Sequence, residues 1–248
     1  MTTLYDSIGV GYAALRRPDA RIAAQIHTAL GTAETVLNVG AGAGSYEPVD
    51  RVVTALEPSA EMIRQRPPSA TRVVRGVAEA LPFGDQSVDA AMAVLTLHHW
   101  TNVEVGLTEM RRVARGPLVI LTFDPAGPYF WLADYLPEIV ALDQPIMPPL
   151  DVFARVLGDV AITPVPVPHD CTDGFLGAYW RRPEVYLDPK ARAAISTFAK
   201  IKDASAGLAR LKADLASGAW VARYGDLLKR EALDIGYRLV TAERAAPS

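Results

Sequence analysis

Two of the chain's four histidines stand side by side in "LTLHHW", residues 95–100, where the long apolar run Val88–Leu97 gives way to polar sequence. Imidazole titrates near neutral pH, so a histidine at a strand end can take a proton from a reacting group. His99 is the first candidate for that role and His98 the second. Asp124, after the apolar run Pro117–Phe123, and His169, further along, are rivals. Each has a plainer reading: a histidine packed on a sheet edge, or an aspartate capping a turn. Adjacent histidines can also ligate a metal. No cysteine or acidic cluster lies at ligand spacing around them, so no metal site is expected.

A second constellation lies upstream, in "VLNVGAGAGSYEPVDRVVTALEPS", residues 36–59. Gly40, Gly42 and Gly44 follow one apolar run, and Glu57 closes the next. A glycine-rich turn between strand and helix lets backbone approach a nucleotide. An acid ending the following strand can accept both hydroxyls of a ribose. The dinucleotide pattern needs a glycine at position 45, which here is Ser45, and Pro48 allows only a short helix after the turn. A pyrophosphate needs a well-formed helix N-terminus with free N–H groups. A nucleoside with an amino-acid tail does not, so the loop suits S-adenosylmethionine (SAM) better than NAD.

These residues need a scaffold. Residues 19–30 have an apolar stripe at helical spacing, with Ile22, Ile26, Ala29 and Leu30 on one face. Strands are expected at 35–39, 51–56, 71–75, 88–97 and 117–123. Helices capped by Ser59 and Asn102 lie between them. The run 88–97 has no polar alternation, as expected of a central parallel strand covered on both faces. Such alternation predicts an α/β, doubly wound parallel sheet with ligands at the carboxyl ends of its strands. After Phe123 the rhythm changes. Residues 125–149 are rich in proline and aromatics. A helix is expected at 150–157, and 161–167 reads as a strand confined to an edge by Pro164 and Pro166. Residues 172–233 read mostly as helices, and 235–242 as a final strand.

Residues 34–123 resemble the class I SAM-dependent methyltransferases of the group whose first motif runs "VLDxGxGxG". The likeness is carried by "VLNVGAGAGSY", "ALEPSAEMI" and "GVAEALPFGDQSVDAAMAVLTLHHW" in that order. The resemblance implies a mostly parallel seven-stranded, Rossmann-like sheet with a reversed last strand and an inserted helical cover. It also implies SAM as cofactor. Gly40, Ala41, Gly42 and Gly44 would approach the methionine part, with Glu57 and Pro58 at the ribose. Met62, Ala78 and Glu79 would flank the adenine, and Leu95 would face the cofactor from the fourth strand. Two departures are notable: Asn38 replaces the family's common aspartate, and Val77 stands where an acid often meets the adenine amino group.

A single domain spanning 1–248 is expected, with cover segments at 1–18, 125–149 and 172–233. Tyr5 and Tyr12 flank Gly9 and Gly11 in the first of these. In related methyltransferases an N-terminal segment folds over the cofactor, which makes Tyr12 a candidate against SAM and Tyr5 one for the acceptor. Trp131, Trp180 and Arg181 are further acceptor candidates, because aromatics beside an arginine fork suit a planar, charged molecule. Packing within the cover would use the same residue types.

The acceptor expected is a small organic molecule. Methylation of RNA and SAM binding without transfer are the alternatives. Net charge is −3, against the positive field that nucleic acid requires. No apolar stretch is long enough for a membrane helix. The N-terminus lacks a basic-then-apolar pattern, so no secretory signal is expected. A single cysteine, Cys171, excludes an intrachain disulfide, and a cytoplasmic location is the default.

Overall fold

The computed structural model describes residues 16–69 and 71–243. Its frame is a seven-stranded sheet. The strands are β1 (Thr35–Val39), β2 (Val52–Glu57), β3 (Arg72–Arg75), β4 (Ala90–Val94), β5 (Leu118–Phe123), β6 (Ala161–Pro164) and β9 (Tyr237–Ala242). They lie in the order β3-β2-β1-β4-β5-β9-β6. Strands β1 to β5 pair in parallel, and β9 runs antiparallel to both β5 and β6. Chain order reverses between β1 and β4, so the ends of those two strands open a crevice at the carboxyl edge. Every residue of β5 is buried, as a continuous apolar run with helices on both faces requires.

Helix α1 (Ala20–Ala29) buries Ile22 and Ile26, and Asp19 caps it by accepting the N–H of Arg21. Burial alone would raise the Asp19 pKa. Hydrogen bonds from Arg21 and Thr172 instead hold it down at about 2. Ser59 caps α2 (Ala60–Arg64) and Asn102 caps α3 (Val103–Val113), each side chain accepting a first-turn N–H as the sequence predicts.

Three expectations change. The strand expected over 88–97 spans only Ala90–Val94. Leu95 has φ +50°, a left-handed conformation that bends the chain out of the sheet, and a 3₁₀ turn follows at Leu97–His99. The strand expected over 161–167 divides at its prolines. Residues 161–164 form the sheet edge, while β7 (Val167–Pro168) pairs with β8 (Ala232–Leu233) as a separate ribbon. The region 172–233 is less helical than its composition suggests. Residues 174–182 run as turns, followed by a 3₁₀ turn at Pro183–Leu187.

Beyond β5 the chain builds a cover. It contains α4 (Leu132–Tyr135), α5 (Glu138–Asp143), α7 (Pro189–Ala193), α8 (Ser205–Ser217) and α9 (Ala219–Tyr224), while α6 (Asp151–Leu157) returns to flank the sheet beside α3. Within the cover α8 contacts α4 and α9. The cover has an aromatic core. The Trp131 ring meets Trp220 at 5.3 Å and Tyr186 at 5.6 Å, both edge to face. Trp131 Nε1 donates to the Trp180 carbonyl at 2.6 Å, and Trp180 Nε1 donates to the Val167 carbonyl at 2.9 Å.

Candidate functional site

A cavity of about 690 Å³ opens where β1 and β4 end. The chain after β1 turns back sharply, with the amides of Gly40 and Ala41 both donating to the Leu56 carbonyl, at 2.9 and 3.0 Å. Gly40 has φ +69°, and a Cβ there would sit 2.1 Å from Thr96 Oγ1. Only glycine fits, because this backbone crosses directly over the end of β4. Gly42 has φ +53°, and its missing Cβ leaves room beside Met62 Cε, 3.3 Å from where it would be. Residues 43–51 form turns with no helix. The loop therefore offers no helix N-terminus to a pyrophosphate.

A polar brace holds this loop from below. Arg66 donates to Glu47 at 2.6 Å and to the Gly42 carbonyl at 3.3 Å, and Asn38 Nδ2 donates to Glu47 at 3.0 Å. The Arg66–Glu47 pair is largely buried, so removing one partner would strand a charge. Gly44 packs against the Arg66 guanidinium and does not line the cavity. A further link runs from the loop to the cover. Tyr46 Oη donates to Asp173 at 2.9 Å, and Arg16 Nε donates to the same carboxylate at 2.5 Å.

Glu57, 6% exposed, ends β2 with its carboxylate at the cavity. Oε2 accepts the Gly42 N–H at 2.8 Å and Oε1 the Ser59 N–H at 2.9 Å. A carboxylate ending a strand at a cavity is the kind of group that receives ribose hydroxyls. Asn38 also lines the cavity, and its buried Oδ1 has no hydrogen-bond partner among the described residues. A buried acceptor without a donor is costly unless a ligand supplies one. These features fit SAM. Glu57 would take the ribose hydroxyls, and Asn38 Oδ1 would accept from the tail ammonium. The glycine backbone admits the tail. Met62 and Ala78, both buried, offer apolar surface for the base.

The structure brings Gly40, Ala41, Gly42, Glu57, Pro58, Met62, Ala78, Glu79 and Leu95 to one cavity. Glu79 Oε1 is engaged by the Asn102 N–H at 3.0 Å, so this carboxylate caps a loop as well as facing the cavity. Sequence reasoning missed Arg16, Thr96 and Trp100 in the lining. Trp100 is positioned by Gly106, on which its ring rests and where a Cβ would come within 2.4 Å, a contact that only the fold reveals.

A second, smaller cavity of about 70 Å³ lies beside the first, and Arg16, Leu95 and His98 line both. Its other walls come from β5, β9 and the cover, including Phe123, Asp143, Phe175, Thr197 and Tyr237. His99 lines only the larger cavity. The two imidazoles stand 3.9 Å apart, centre to centre. Burial, then the charges of His99, Lys200 and Arg16, depress His98 well below the usual histidine range. Burial, with Lys200, brings His99 down to about 4 although its ring borders the cavity. Both rings are therefore neutral at pH 7, and the same burial weakens them as bases.

The remaining candidates fall elsewhere. Trp131 and Trp180 are buried in the cover's aromatic core and line neither cavity. They satisfy their indole N–H groups on cover carbonyls, which is what packing demands of a buried tryptophan. Arg181 donates to the Arg230 carbonyl at 3.0 Å and faces Glu231 at the surface. His169 Nδ1 lies 3.3 Å from the Glu231 carbonyl, also away from both cavities. Asp124 accepts the Ala126 N–H and turns the chain after β5. Tyr5 and Tyr12 lie outside the described residues. Among the described residues no group of histidines, cysteines and acids could hold a metal ion, and no helix is long and apolar enough to cross a membrane.

Comparison with known proteins agrees with this geometry. Residues 37–118 match a family model described as a methyltransferase domain. A protein from Anabaena variabilis, named as a methyltransferase from an antibiotic biosynthesis pathway, has a structure that superposes with a TM-score of 0.86. Its identity is 35%, over 92% of this chain and 98% of that one. The uncharacterized methyltransferase YcgJ of Bacillus subtilis is 28% identical over 120 residues, so the match spans only 44% of its length. A sarcosine dimethylglycine methyltransferase from Galdieria sulphuraria shares the fold, with a TM-score of 0.54 at 13% identity over 91% of this chain and 86% of that one. With a relative of 35% identity aligned over nearly its whole length, and with a glycine loop, strand-end acid and buried acceptor that suit the cofactor, the chain belongs to the class I SAM-dependent methyltransferases.

Proposed function

We propose that this protein transfers the methyl group of SAM to a small organic acceptor held in the smaller cavity. The observation that carries this reading is the wall the two cavities share at Leu95 and His98. When bound, SAM supplies an electrophilic methyl on a sulfonium. The glycine loop and Glu57 bind and orient the cofactor. The cover closes the acceptor side and keeps water from the transfer, whose rate depends on alignment and on exclusion of solvent.

His98 takes the place first assigned to His99, because it faces both chambers. As a neutral imidazole, it receives the proton of an acceptor O–H or N–H as the new bond to carbon forms. The small size and largely apolar walls of the second chamber support a compact acceptor over RNA. The net charge of −3 supports the same choice.

The test is methyl transfer from isotope-labelled SAM, offered separately to a small-metabolite extract and to bulk RNA. Label in a low-mass product, lost on His98→Asn while calorimetry shows SAM binding unchanged, is the expected result. Label only in RNA would overturn the reading.

A further inference from the structure

We propose that Asp143 is the specificity-determining residue of the smaller cavity, and that it receives a hydrogen bond from a hydroxyl group on the acceptor. The inference rests on the reading of that cavity as the acceptor chamber, and it deepens that reading by naming the acceptor's chemistry.

Asp143 ends α5 and is 4% exposed, yet it lines the cavity. Its hydrogen bond from protein comes from Thr197, whose Oγ1 lies 3.0 Å from one carboxylate oxygen and 3.3 Å from the other. No ion pair reaches it among the described residues. A carboxylate with about four acceptor positions thus spends one shared donor, in a place where water is scarce. Desolvation pushes its pKa up to about 6, and the Thr197 hydrogen bond and the charge of Lys200 offset this only in part. Such a group is the natural receiver of a ligand's donor. Arg16, the other charged side chain in the wall, is held by Asp173 through two hydrogen bonds.

The surroundings select the donor. Phe123, Phe175 and Tyr237 form one apolar side, with ring centroids 5.4 and 4.7 Å apart at successive contacts. These rings accept an aliphatic or aromatic body. An ammonium would match the carboxylate, but Arg16 stands in the same wall and brings positive charge to it. A carboxylate ligand would meet Asp143 itself. A neutral hydroxyl avoids both repulsions. At about 70 Å³ the chamber holds a few water-sized groups, so it grips one end of a small molecule while the rest extends toward His98.

The test uses the protein loaded with S-adenosylhomocysteine and three probes of similar shape: benzyl alcohol, toluene and benzylamine. Ligand-observed NMR should show benzyl alcohol binding best, and Asp143→Leu should weaken it at least about tenfold, the loss expected for a hydrogen bond to a charged group. Toluene should be indifferent to that substitution. The carboxyl ¹³C resonance of Asp143 in the wild-type chain gives a measurement independent of any variant's folding. Benzyl alcohol should shift its titration midpoint to lower pH, because a donor favours the charged form, and toluene should not. Equal binding of all three probes, binding of none, preference for benzylamine, or an unmoved midpoint would overturn the proposal. These readouts need no methyl transfer. A methylated small product whose formation ignores Asp143→Asn would sink this inference alone, whereas label confined to RNA would sink the acceptor-chamber reading on which it stands.

Discussion

The cofactor side and the cover are built on opposite principles. The cofactor side is assembled from short stretches, each acting at its own position: a glycine that must have no Cβ, an acid at a strand end, a serine cap. The cover is assembled from side chains far apart in sequence. Trp131 touches Trp220 and Tyr186, and Asp173 gathers Arg16 and Tyr46. The first arrangement is shaped mainly by local backbone geometry, with the Arg66–Glu47 pair and the Gly40–Thr96 contact as its longer-range supports. The second holds only while many distant parts stay packed together. A methyltransferase can therefore keep one half constant while the other half changes its acceptor.

The largest expected effect breaks the cover and spares the cofactor side. Trp131→Ala removes the centre of the aromatic cluster and should cost about 3–5 kcal/mol of stability. Urea unfolding should show the loss. SAM binding, measured by calorimetry well below the denaturation midpoint, should be nearly unchanged. A collapse of SAM affinity in a folded variant would mean that the two regions are not separable in this way.

The converse change is smaller. Glu57→Ala should weaken SAM binding by about 1–3 kcal/mol through lost hydrogen bonds to a charged acceptor. Because Glu57 also receives the Gly42 and Ser59 amides, some loss of loop order should accompany it. Unaltered affinity would show that the ribose is read by another group.

The smallest effect lies at the boundary between the regions. The pKa values of His98 and His99 are depressed in the folded chain, so the unfolded chain binds more protons as pH falls below the ordinary value of 6.5. Their contribution is complete above that pH and is lost on acidification toward 4. Asp143 acts in the opposite sense. Its raised pKa makes the folded state the better proton binder between 3.8 and about 6, so acidification through that range favours folding. Wild-type stability alone mixes these slopes. The difference between wild type and His98→Asn/His99→Asn should isolate the first, with the variant losing less stability on acidification. Equal slopes would show that the histidines titrate normally.

This contrast also explains what could be read from the sequence. Strands β1, β2, β3 and β5, the caps at Ser59 and Asn102, and a glycine-rich turn at Gly40 and Gly42 follow from local rules of periodicity, backbone freedom and capping. The early end of β4 did not, because a left-handed leucine at 95, beside Thr96 where Gly40 crosses, leaves no mark in local sequence. Asp143 was invisible for a related reason. An aspartate ending a short helix reads as solvated until the fold places Thr197 beside it and Tyr237 in the same cavity wall. Trp131, Trp180 and Arg181 attracted attention by type, but type does not distinguish the lining of a pocket from the core of a cover.

The tryptophans divide along the same line, which gives the molecule two optical channels. Trp100 borders the larger cavity, while Trp131, Trp180 and Trp220 lie in the cover. The indoles of Trp131 and Trp220, 5.3 Å apart and nearly perpendicular, are close enough for their transitions to couple. Circular dichroism of that pair follows the integrity of the cover. The fluorescence of Trp100, isolated by comparison with Trp100→Phe, follows ligand entry on the other side. Parallel titrations of the wild-type chain and Trp100→Phe then report the state of each region with no label attached.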